Sequence, residues 1–117
     1  MKISLLAEIL EATFLCGEDR SDIEIDKAGG SDLMSDILAA LSDHSVLLTG
    51  LTNIQAVKTA VISGVAVIVF VRNKKPSPEV VALAQKHGIP LLSTPCSMFL
   101  ACGRLYNGGL SSLKGIR

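Results

Sequence analysis

The unbroken apolar run Val65-Ala-Val-Ile-Val-Phe-Val71 constrains this chain more than any other stretch. It is rich in β-branched residues and has no polar alternation, so both faces of the strand must be buried. It is far too short to cross a bilayer as a helix. A strand covered on both sides belongs at the centre of a parallel sheet between helical layers.

The flanking segments supply those layers. Ser45 to Thr49 reads as a second buried strand, broken by Gly50. Thr52-Asn-Ile-Gln55 has the capping-box pattern and opens a helix through about Ser63, with Gly64 in the C′ position. Ser77-Pro78 places a cap and a first-turn proline before a helix ending at His87-Gly88. Ile89 to Ser93 is a further strand, and Thr94-Pro95 starts a helix to about Tyr106, closed by Gly108-Gly109. From Ser45 the order is β-α-β-α-β-α, which right-handed crossovers fold into a parallel sheet with helices on both faces.

The N-terminal third is less regular. Leu5, Leu6, Ile9 and Leu10 form a helical stripe over Ser4–Glu11 with Ser4 as the expected N-cap. Thr13–Cys16 reads as a short strand ending at Gly17. Ile23-Glu-Ile-Asp26 alternates like an edge strand. Gly29-Gly30-Ser31-Asp32 reads as a turn feeding a helix, capped by Ser31 or Asp32, that carries Leu33, Met34, Ile37, Leu38 and Leu41. Residues 1–110 are expected to form one domain, a three-layer α/β/α sandwich with a mostly parallel sheet. Residues 111–117 are expected to form a flexible tail.

Composition excludes several classes. The chain has 117 residues, of which 49% are hydrophobic, enough for one core and too many for a disordered segment. Its 11 basic and 11 acidic side chains cancel, so there is no basic face for nucleic acid. No leader-peptide pattern and no membrane span is read, which places the chain in the cytoplasm. Cys16, Cys96 and Cys102 lack the spacing of a disulfide framework or a zinc site. Asp19, Asp22, Glu24 and Asp26 lack an EF-hand pattern and read as a solvated face, so neither metal nor cofactor is expected.

Chemistry is expected where ligands bind open parallel sheets, beyond the carboxyl ends of the strands. Three loops meet there, each leading into a helix N-terminus that favours anions. They offer Thr49, Thr52, Asn53, Arg72, Lys74, Ser93 and Thr94 as contacts for a phosphate-bearing metabolite or nucleotide. The same residue types also cap helices without any ligand. Gly29, Gly30 and Ser31 form a second candidate nest, although Asp32 puts a carboxylate at that helix end and GxxxxGK[ST] is absent. Cys96, on a strand-to-helix turn, is the candidate nucleophile of a thiol enzyme. A base for it is missing: His44 and His87 show no spacing that links them to it. Cys102 reads as core.

Four ordered blocks resemble the DRTGG domain family: residues 25–36, Leu48-Thr-Gly-Leu-Thr-Asn53, residues 88–99 and Ala101-Cys-Gly-Arg-Leu-Tyr106. Asp26, Gly29 and Gly30 align to the motif's Asp and two Gly, with Lys27 and Ala28 where Arg and Thr stand in the family. The run Ser31-Asp32-Leu33-Met34-Ser35-Asp36 is intact. The resemblance implies a three-layer fold similar to the N-terminal domain of HPr kinase/phosphorylase. It further implies a non-catalytic regulatory domain acting as a homodimer, with a protein partner in a metabolic or redox regulatory system. Gly29, Gly30, Ser31, Asp32 and Asp36 then become a possible interface.

Overall fold

The computed structural model describes residues 1–40 and 43–113. Its helices are α1 (Ile3–Leu10), α2 (Met34–Leu38), α3 (Ile54–Ser63), α4 (Pro78–Lys86) and α5 (Met98–Asn107). Its strands are β1 (Thr13–Cys16), β2 (Lys27–Gly30), β3 (Ser45–Thr49), β4 (Val67–Phe70), β5 (Leu91–Ser93) and β6 (Ser111–Ser112). The strands form one sheet in the order β1-β5-β4-β3-β2-β6. Every pairing is parallel except β1 with β5.

Alternate side chains of the central strands supply two cores. Val46, Leu48, Val67, Val69 and Leu92 face α1 and α5. Leu47, Ile68, Phe70 and Leu91 face α2, α3 and α4. This is the two-sided burial expected of the Val65–Val71 run. The crossovers from β2 to β5 all pass over one face. The return from β5 through α5 to β6 passes over the other.

Several local expectations shift. α1 begins at Ile3, with Lys2 as its N-cap and no side-chain acceptor, so Ser4 does not cap it. Lys2 bridges to Glu24, and Ile3 N–H donates to Ile23 O, which fixes the cap two residues early. Ile23–Asp26 is not a strand beyond that single bridge; Ile25 is buried through its own contacts, and the strand starts at Lys27.

The largest correction concerns Gly29 and Gly30, which lie inside β2 and not in a turn. A Cβ on Gly29 would collide with the Leu113 side chain. One on Gly30 would come within 2.9 Å of both Cys102 Sγ and Met98 Sδ. Glycine is used there for clearance from packed side chains. α2 is accordingly short, with Leu33 at its N-cap and no side-chain cap; Ser31 instead accepts a bond from Leu33 N–H.

α3 is capped by Asn53, whose side chain accepts from Ala56 N–H, and not by Thr52. α5 starts at Met98 behind Ser97, later than the expected Thr94-Pro95, because Thr94 is turned into the interior. Cys102 is only half-buried and lies beside a groove. Ser111 and Ser112, placed in a tail by the sequence, pair with β2, and the following Leu113 is buried. Leu41 and residues 114–117 lie outside the described residues.

Candidate functional site at the strand ends

The carboxyl ends of β2, β3 and β4 open on a cleft of about 450 Å³. Gly30, Ser31 and Asp32 line one wall, Gly50, Val71 and Arg72 the floor, and Ser97, Met98 and Phe99 the other wall. Phe99 is 89% exposed, an apolar ring standing at the rim.

Asp32 organises this edge. One carboxylate oxygen accepts from Gly50 N–H at 2.6 Å and from the Thr49 hydroxyl at 2.9 Å. The Gly50 amide is the chief cause that holds the Asp32 carboxyl below its ordinary range, with Thr49, Lys74 and Arg72 adding to it. An internal anion therefore already occupies the amide that a phosphate at the β3–α3 loop would use. Lys74 donates to Gly50 O at 3.4 Å, which ties the next loop to the same point.

The β4 loop is pinned from the other side. Arg72 and Asn73 both hold left-handed backbone, φ 57° and 58°. Their amides donate to Cys96 O and Thr94 O. Such a backbone is uncommon away from glycine, and here the two bonds hold it in place.

The structure thus distributes the sequence-nominated contacts unevenly. Arg72 lines the cleft and is exposed. Thr49 is buried, donating to Asp32 and accepting from Leu51 N–H. Ser93 donates to Lys74 O, and the fully buried Thr94 donates to Leu10 O. Asn53 serves α3 as its cap, and Thr52 is half-buried without lining the cleft. Of the motif residues, Gly30, Ser31 and Asp32 line the cleft, while Gly29 and Asp36 line a smaller groove on the α2 side. Met98 and Phe99 line the cleft without being among the contacts the sequence offers; the Met-Phe pair at the start of α5 is the available signal.

Cys96 is buried, its thiol donating to Leu10 O at 3.6 Å while Arg104 Nη1 approaches its sulfur at 3.4 Å. His44 and His87 are both exposed on loops. Burial raises the thiols of Cys16 and Cys102 above their ordinary range. Among the described residues no cluster of His, Cys, Asp or Glu could hold a metal ion, and no helix is long and apolar enough to cross a membrane.

A mostly parallel sheet between helical layers, with a cleft at its carboxyl edge, defines an α/β sandwich domain. The DRTGG domain family model matches residues 5–106, and the chain belongs to that family. A solved structure with the same fold is that of the CBS and DRTGG domains of the regulatory region of Clostridium perfringens pyrophosphatase, complexed with the activator diadenosine tetraphosphate. The TM-score is 0.73 at 18% identity, over 89% of this chain. This chain spans less than half of that one, 45% of its length. No curated protein matches the chain.

Proposed function

We propose that this chain is a regulatory and interaction domain that carries out no catalysis and acts as a homodimer in the cytoplasm. The observation that carries the reading is how the strand-end edge uses its polar groups. Thr49, Asp32, Ser93 and Thr94 bond within the chain, and among the described residues of this edge no nucleophile stands beside a base. An enzyme needs that pair in reach of one reacting atom; a module that presents a surface does not. Membership of the DRTGG family and the likeness to part of a regulatory region support it. Regulation then runs through association, with itself and with a protein partner of a metabolic or redox system. Light scattering at tens of micromolar is expected to give twice the chain's 12.3 kDa mass. A monodisperse monomer overturns the homodimer.

A second reading is favoured by the cleft itself. Arg72 at its floor and the Phe99 ring at its rim suit a phosphate and a base, and the similar structure was solved with a dinucleoside tetraphosphate. A thermal-shift series with phosphate, acetyl phosphate, AMP, ATP and diadenosine tetraphosphate tests it. A rise of several degrees that disappears in Arg72→Ala is expected. An unchanged melting temperature with all five overturns it.

A further inference from the structure

The two faces of the sheet are unequally covered. Among the described residues three helices, α2, α3 and α4, pack on one face, and two, α1 and α5, pack on the other. The uncovered part lies over β2 and β6, beside α5. There a groove of about 440 Å³ runs between Ala28 and Gly30 below, Cys102 and Tyr106 on the α5 flank, and Leu110 at the end. None of the residues lining it is charged. Its uncharged lining suits a partner with an uncharged face.

The α5 flank has that composition. Phe99, Cys102, Gly103 and Tyr106 fall at helical i, i+3, i+4 and i+7 spacing and form one stripe. Phe99 and Tyr106 are 89% and 78% exposed. A Cβ on Gly103 would meet nothing within 4 Å, so the middle of the stripe is open and low. Large rings flank a small centre. The exposed apolar residues of α3, by contrast (Ile54, Val61 and Ile62), surround the charged Lys58.

The stripe is complementary to itself. If two copies cross antiparallel about a two-fold axis between positions 102 and 103, Cys102 faces Gly103, and Phe99 faces Tyr106. Each aromatic ring fills the space beside the partner's ring, and the small centres let the backbones approach. A two-fold interface has to be self-complementary in this way. Two aromatic side chains of about 150–250 Å² each supply roughly half of the about 800 Å² that a standard interface takes from each partner, and the uncharged groove walls beside them add to it.

We infer that a second copy of this chain docks on α5 by this crossing, and that the pairing completes the strand-end cleft. Phe99 is both the end of the stripe and the outer wall of the cleft. The crossing brings the partner's Tyr106 to that wall, so a ligand bound beside Arg72 would contact both chains. The inference rests on the homodimer reading and names its surface.

Gly103→Glu tests it without harming the protomer. The position is helical and open, so the substitution should hold or raise the melting temperature of the single chain. It should convert a dimer to a monomer by sedimentation velocity. As a second measurement, a Phe99→Cys chain mixed with a Tyr106→Cys chain should cross-link on mild oxidation at least several-fold more than either alone. A wild-type monomer overturns the homodimer reading and this inference together. A wild-type dimer that survives Gly103→Glu, or variants that link equally well alone, overturns the α5 crossing and leaves the homodimer standing.

Discussion

Gly17 and Gly64 both hold left-handed backbone, φ 79° and 81°, in very different surroundings. A Cβ on Gly17 would come within 2.6 Å of Pro90 Cα, a backbone atom that cannot step aside, whereas one on Gly64 meets nothing within 4 Å. Gly64→Ala is therefore expected to cost only the left-handed penalty, about 1 kcal/mol. Gly17→Ala adds steric overlap and should cost about 3 kcal/mol in urea unfolding. Equal losses would mean that the Pro90 contact relaxes freely. Asp32 makes the second prediction at this scale. Its folded pKa is depressed, first by the Gly50 amide, so its contribution is complete above the unfolded value of about 4 and is lost as pH falls through the lower folded one. On acidification below about pH 4 the wild-type melting temperature should approach that of Asp32→Asn. A constant gap between the two curves would show that the charge contributes nothing.

At the scale of elements, β3, β4, β5, α3 and α4 could be read directly from the sequence, because burial on both faces and Gly or Pro punctuation leave few alternatives. The N-terminal third could not. A glycine pair serves a turn by its backbone freedom and a strand by its missing side chain, and the sequence looks the same in either case. What decides for β2 is Leu113, Met98 and Cys102, all distant along the chain. The cleft was legible as a location, since parallel strands open at their carboxyl ends. Its occupants were not, because Ser and Thr do not reveal whether they point outward or, like Thr94, inward. The α3 cap shows the same limit at one position. Asn53, accepting from Ala56 N–H, takes the N-cap role that the Thr52-x-x-Gln55 pattern assigns to Thr52. Asn53→Ala should lower stability by about 1 kcal/mol, and Thr52→Ala by less than about half that. The reverse order in thermal unfolding would restore Thr52 as the cap.

For the whole molecule, the described C-terminal residues close the sheet. Ser111 and Ser112 add its last strand, and Leu113, 2% exposed, packs with Ile37 and Leu47 in the core beneath α2 and α3. Leu113→Ala is expected to cost about 2–4 kcal/mol, the loss of a buried leucine and not of a loose end. A change under about half a kcal/mol by urea denaturation would place the residue outside the cooperative unit.

The strand order also has a consequence in time. The three central strands are linked by short crossovers, so their contacts close small loops and can form early. Both edges depend on meetings between distant parts of the chain: Thr13 pairs with Ser93, and Lys27 with Ser111. On a ribosome α1 and β1 emerge well before Leu91–Ser93 and have no sheet to join until that strand has been made. These two elements, made before the strand they pack with, are thus among the last to find their place, and a newly made chain must keep Leu6, Leu10 and Phe14 from other partners while it waits.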